Sequence, residues 1–153
     1  MPQISASSSA SIPAPAPIVY GIIADYHEGH PSILPAKYFQ NLQVEEGGVG
    51  AGTRISFQMR SFGSVRRFQA QVTEPQPGRQ LRELYPDSDM ATTFTVEPED
   101  AGRSSRVTIE TRYTKAGLAG WVEQWLAPRF LRRVYVAELH ELKLQARART
   151  SNR

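Results

Sequence analysis

The sequence contains no cysteine, which removes disulfide staples, thiolate metal sites and thiol nucleophiles from consideration. It also has no run of about eighteen consecutive apolar residues, so no segment is suited to cross a bilayer as a helix. Met1 to Pro17 carries serine and alanine but no basic stretch followed by an apolar one. No secretory signal is therefore expected, and the expected location is the cytoplasm. No Gly-x-Ser-x-Gly elbow is present, which leaves serine hydrolysis unsupported. Gly48, Gly50 and Gly52 lack the dinucleotide spacing, and no Lys-Ser or Lys-Thr pair follows them, so no nucleotide cofactor is expected, nor any other. Excess charge is small, with 18 Lys and Arg against 15 Asp and Glu. The surplus falls late, at Arg129, Arg132, Arg133, Lys143, Arg147, Arg149 and Arg153. It reads as a solvated helix face, not a nucleic-acid reader. A protein-interaction surface is the other use open to it.

What remains is an ordinary globular balance, 40% hydrophobic and 22% charged over 153 residues. That length suits a single domain, taken here as residues 1–150, with 151–153 as a disordered tail. Ile4 to Ile12 alternates weakly, as an edge strand does, and Pro13, Pro15 and Pro17 end it because each lacks an N–H donor. Pro17 suits the first turn of a short helix, Ile18 to Tyr26. Gly29, Pro31 and Pro35 then allow only a broken turn or a second short helix.

From Phe39 the period becomes two. Strands are expected at Phe39–Val44, at Ile55-Phe57-Met59, at Phe68-Ala70-Val72 and at Leu81-Glu83-Tyr85. Two more follow, at Thr92-Phe94-Val96 and at Val107-Ile109-Thr111-Tyr113. Turn residues separate each pair, the pattern of an antiparallel meander with one covered face. From Leu118 to about Ala148 the period returns to 3.6, with Leu118, Val122, Trp125, Leu126, Phe130, Val134, Ala137 and Leu144 on one face. Pro128 should kink or divide that helix.

This order of strand, one or two helices, six strands and a long helix resembles the START-like superfamily. That superfamily includes the birch pollen allergen family and the polyketide cyclase/dehydrase-like proteins. The resemblance runs from about Ile4 to Ala148. It rests on Ala16-Pro17, Ala24-Asp25-Tyr26, the Glu45–Thr53 turn with its Gly52-Thr53, Glu74-Pro75…Pro77-Gly78-Arg79, and Gly120-Trp121…Leu142. It implies a helix-grip α+β fold: a curved seven-stranded antiparallel sheet on a long C-terminal helix, with two short helices after the first strand. It also implies a cavity for a hydrophobic small molecule such as a lipid, polyketide or aromatic metabolite.

Alternation supplies the candidate residues. Ile55, Phe57, Met59, Phe68, Leu81, Phe94 and Ile109 should face the helix, as cavity liners or as plain core. Tyr26 and Tyr85 can present a phenol to a ligand, and Trp125 can line the cavity or anchor the helix. Glu83 falls on the covered side if Leu81 does, although a slip in register would turn Leu84 inward instead. A carboxyl there suits acid–base work. Glu83 and Tyr113 are the catalytic nominations. Arg54, Arg66, Arg67 and Arg82 should face solvent. His27-Glu28-Gly29-His30 lacks the spacing of a helical zinc motif, so no metal is expected and a solvated turn near the cavity mouth is the reading. The functional expectation is hydrophobic-ligand binding. A polyketide cyclase/dehydratase-type enzyme using the same cavity is the alternative, and an interaction module using the basic helix a third. Monomer and homodimer are both left open.

Overall fold

The computed structural model describes residues 3–61, 63–114 and 127–151. Strand β1 (Gln3–Ile12) leads into α1 (Ala16–Ala24) and α2 (Gly29–Ile33). Six strands follow: β2 (Phe39–Glu46), β3 (Arg54–Ser61), β4 (Ser64–Gln76), β5 (Gln80–Leu84), β6 (Ala91–Glu99) and β7 (Ser104–Thr114). Helix α3 (Ala127–Ser151) closes the chain. The strands form one antiparallel sheet in the order β1-β7-β6-β5-β4-β3-β2. β2 to β7 make the meander that their short turns require. β1 returns to the far edge beside β7, with Ala6 opposite Thr111.

Alternation decides which side is covered. Ile55, Phe57, Ala70, Val72, Leu81, Phe94, Val96, Val107 and Ile109 are buried, while their neighbours Arg54, Arg60, Arg67 and Gln71 are exposed. Each fully buried aliphatic side chain contributes roughly 1.5–3 kcal/mol. A register slip would forfeit all of these contributions at once. Glu83 is 5% exposed and Leu84 37%, so the register turns Glu83 inward. Arg66 is exposed and Arg82 half-buried, its Nε donating to Thr93 Oγ1 at 3.1 Å.

Two details depart from simple alternation. In β2, Phe39 pairs with Met59 and Gln40 with Gln58, but Gln43 pairs with Ser56. Asn41 and Leu42 thus share one place on the partner strand, a bulge with Asn41 at φ 56°. Asparagine tolerates that left-handed conformation, and its Nδ2 donates to Gln58 Oε1 at 2.8 Å. The bulge lets Phe39 and Leu42, an odd number of residues apart, reach the same cavity. In β4, Pro75 falls where the pairing with β5 shifts register, a place where a strand tolerates a missing donor.

Pro128 is the second described residue of α3, so the kink or division expected there involves residues 118–126, which lie outside the described residues. The helix also runs to Ser151, past the expected end near Ala148. Its inward face is rotated from the expected one. Leu131, Val134, Tyr135, Glu138, Leu139, Leu142 and Ala146 are buried, whereas Phe130 and Ala137 are half-buried and Leu144 is 44% exposed. Arg132, Arg133 and Arg147 are exposed on the opposite side. Gly117, Leu118, Gly120, Trp121, Val122, Trp125 and Leu126 lie outside the described residues.

Candidate functional site

Between the inner face of the sheet, α2 and α3 lies a cavity. The concavity holds ≈ 640 Å³ out to solvent, but only ≈ 50 Å³ of it is open to water. The smaller figure governs what fits without rearrangement: a few waters, not a fused-ring molecule. Of the residues nominated from sequence, Ile55, Phe57, Met59, Phe68, Glu83, Tyr85 and Phe94 line it. Leu81 and Ile109 do not; they are fully buried core on either side of Phe94, its cross-strand partners on β5 and β7. Tyr113 is buried at the end of β7, opposite Ile4, and is not a cavity residue. Tyr26 stands behind the wall. Trp125 falls outside the described residues.

The polar end of the cavity is organised around Glu83. Tyr26 donates its hydroxyl to Glu83 Oε2 at 2.6 Å, and Tyr85 donates to Oε1 at 3.2 Å. Burial, then the charge of Glu83, pushes both phenols well above their ordinary range, so they act as donors. The His30 ring, 2% exposed, stacks on Tyr26 at 4.3 Å and meets Phe94 edge-on at 5.4 Å. Its Nδ1 lies 2.7 Å from the Ile23 carbonyl, which can only accept, so Nδ1 carries the hydrogen. Burial lowers the His30 pKa against the opposing pull of Glu83. The neutral ring therefore turns the lone pair of Nε2 toward Glu83 Oε2 at 3.6 Å. Two acceptors thus face each other across a gap slightly too wide for a direct hydrogen bond.

Local structure explains why these groups meet. Asp25 Oδ1 and Oδ2 accept from the backbone N–H groups of His27, Glu28 and Gly29, folding the α1–α2 connection back on itself. A Cβ on Gly29 would stand 2.4 Å from the Ile22 carbonyl oxygen, so only glycine lets α2 approach closely enough to carry His30 inward. The glycine-rich turn clamps the other side. Tyr26 N–H donates to the Gly48 carbonyl at 2.8 Å and Gly50 N–H to the Ala24 carbonyl at 2.9 Å. That seats Tyr26 over β5.

Across the cavity α3 contributes Leu131, Tyr135 and Glu138, one turn apart in succession. The Tyr135 hydroxyl bonds Thr111 Oγ1, which bonds Thr92 Oγ1 at 2.7 Å. Thr92 is the cross-strand partner of Glu83. Glu138 is 2% exposed and its Oε2 has no hydrogen-bond partner. Burial first, and the charge of Glu83 second, push its carboxyl well above the usual carboxylate range. Among the described residues no group of three His, Asp or Glu side chains is arranged to hold a metal ion, and no helix is long and apolar enough to cross a membrane.

Residues 3–147 match the polyketide cyclase / dehydrase and lipid transport family. The chain belongs to that family. Among solved structures, the KanY protein is 32% identical over 96% of this chain and 99% of its own, with a TM-score of 0.81. The Zhui aromatase/cyclase from Streptomyces sp. R1128 superposes with a TM-score of 0.71 at 18% identity, over 97% and 96% of the two chains. Ginseng major latex-like protein 151 from Panax ginseng reaches 0.69 at 10%, over 94% and 97%. At those last two identities the likeness is one of fold, the helix-grip arrangement. A comparison with curated protein sequences found no match. In general terms, membership of the polyketide cyclase / dehydrase and lipid transport family supports hydrophobic-ligand binding or cyclase activity.

For this member of the polyketide cyclase / dehydrase and lipid transport family, His30 and Glu138 are among the cavity residues that the sequence does not nominate, together with Leu42, Met90, Leu131 and Tyr135. His30 was read as part of a solvated turn, yet the Asp25-capped turn and the Gly29 approach bury it. Nothing in its immediate neighbours signals that. Glu138 had a signal: it is the one charged residue on the stripe Leu131-Val134-Tyr135-Glu138-Leu142. Placing the helical face one position off concealed it.

Proposed function

We propose that the protein takes a hydrophobic, oxygen-bearing molecule of the polyketide type into this cavity and moves protons on it, with Glu83 and His30 as the accepting groups. The observation that carries this reading is the carboxyl group of Glu83 and a neutral imidazole, 5% and 2% exposed, set face to face in a mainly apolar cavity. A buried ionisable pair of this kind is expensive to keep, and such pairs in a cleft are how acid–base sites are built. What two neighbouring acceptors can receive from the cavity side is a donor: an enol O–H, or a C–H made acidic by flanking carbonyls.

Removal of that proton leaves the C–H electron pair as the carbon–carbon double bond of an enolate, the carbonyl π pair moving to oxygen. The enolate carbon then attacks a second carbonyl carbon of the same molecule, forming a C–C bond as the first carbonyl is restored, and the new alkoxide takes back the proton removed. Loss of that hydroxyl as water with a neighbouring hydrogen yields the ring alkene. Atoms and electrons balance within the substrate and the released water. The Met59, Met90 and Leu42 side chains are the flexible liners that must shift to admit a bicyclic guest.

The test uses 2-tetralone in heavy water, followed by proton NMR. The wild-type protein should accelerate deuterium exchange beside the carbonyl. Glu83→Gln should lose most of that acceleration while binding the ketone nearly as well. Tight binding with no acceleration even in the wild type would favour the second reading, a carrier. The mainly apolar lining supports that reading in its own right.

A further inference from the structure

The cavity contains two carboxyl groups with different surroundings, and the difference specifies the ligand more narrowly than "hydrophobic". Glu83 is satisfied by two phenols. Glu138, on the opposite wall, has an oxygen with no partner at all, at 2% exposure, in contact with the void. Buried polar atoms are nearly always paired, so an orphan facing an empty space points to something that belongs there. No lysine or arginine is among the described residues lining the cavity, so that partner is not a cation of the protein.

We propose that Glu138 receives the carbonyl oxygen of the ligand, donating a hydrogen bond from a neutral carboxyl group, and that the ligand is therefore an uncharged ketone. This rests on the cavity-binding reading above and extends it. Burial, together with the facing carboxylate of Glu83, keeps a proton on Glu138, which gives it a hydrogen to donate. An anionic guest, a fatty acid for instance, would meet Glu83 with no countercharge in the wall and would be excluded. The groups on the surrounding elements agree: Tyr85 donates to Glu83, Tyr135 bonds Thr111, and His30 Nε2 is an acceptor. None of them supplies a free donor for a carbonyl in the way Glu138 does. With the oxygen held at α3, the carbon beside it is directed toward the acceptors on β5 and α2. One wall polarises the carbonyl and the other takes the proton.

Three ligands of one shape test this: tetralin, 2-tetralone, and tetralin-2-carboxylate, titrated by calorimetry into wild type, Glu138→Gln and Glu138→Met. The wild type should prefer the ketone to the hydrocarbon by about tenfold, the worth of one buried hydrogen bond. It should bind the carboxylate more weakly than either. Glu138→Gln, whose amide still donates, should keep the preference for ketone. Glu138→Met should bind tetralin at least as well as the wild type and lose the preference. A general loosening of the fold would weaken tetralin and tetralone together, so the ratio isolates the hydrogen bond. Equal affinity for tetralin and tetralone in the wild type, or an unchanged preference in Glu138→Met, overturns the role of Glu138 while leaving the cavity a binder. Binding of none of the three by the wild type defeats the cavity reading and this inference with it.

Discussion

Replacing Glu138 by methionine should stabilise the protein, and the gain should grow as pH rises. In an unfolded chain the carboxyl loses its proton near pH 4.3, about the ordinary glutamate value. In the folded protein burial and the Glu83 charge hold that proton to considerably higher pH. Above about pH 4.3 the folded state therefore binds more protons at this site than the unfolded state, and wild-type stability must fall with pH. The slope is about 1.4 kcal/mol per pH unit, continuing until pH passes the raised folded value. Methionine, of similar length and without charge, removes this dependence. At low pH, where both forms are neutral, the variant should already lead by about 1–3 kcal/mol, the cost of an unsatisfied buried polar group. For a domain of this size each pH unit should add about 3–6 °C to the difference in midpoint temperature. His30 slopes the other way, because burial depresses its folded value and stability from it is lost as pH falls. It is present in both proteins and cancels in the difference. Urea unfolding of both proteins at half-unit steps from pH 4 to 7 is the measurement. Parallel stability curves would show that Glu138 ionises in the folded state as freely as in the unfolded one. A wild type more stable than the variant throughout would show that the carboxyl has a partner.

Three other outcomes are expected. Gly29→Ala, whose Cβ would sit 2.4 Å from the Ile22 carbonyl oxygen, should lose about 1–3 kcal/mol in urea unfolding as α2 is pushed off α1; an unchanged midpoint would mean that α2 is not held tightly. Tyr26→Phe keeps the ring stacked on His30 but removes a 2.6 Å donor from Glu83, and should lose about 1.5–3 kcal/mol, the range for hydrogen bonds to charged groups. A neutral result would show that this contact contributes little. Leu131→Ala enlarges the cavity and should lose about 2–5 kcal/mol. Saturating tetralin should restore part of that loss in thermal melts, and no recovery would place Leu131 in solid core instead.

Much of the fold was legible because the sheet is half-covered. A side chain in a strand has only two directions, so Ile55-Phe57-Met59 and Thr92-Phe94-Val96 announce both the strand and its inner face. The same rule brought Glu83 inward, since Leu81 anchors that register. Tyr113 shows where the rule stops: it shares the inner face of β7 with Thr111, but alternation cannot say how far along a strand the cavity extends. Leu42 was hidden because the Asn41 bulge breaks the period, although an asparagine able to take positive φ was the available hint. On α3 the error was one of phase. Helical faces differ by only 100° per residue, and the half-buried Phe130 and exposed Leu144 look as apolar as the truly inward Leu131 and Leu142.

The linear order of residues by itself determined the succession of strands and helices, the covered side of the sheet and the chemical classes ruled out, because these follow from local periodicity and from residue types present or absent. Tertiary structure alone decided that His30 faces Glu83 and that Glu138 stands unpartnered opposite them. These residues come from α2, β5 and α3, far apart along the chain. Their distances are set by the Asp25 turn, by the approach of Gly29 to Ile22 and by the rotation of α3, contacts that local periodicity does not encode.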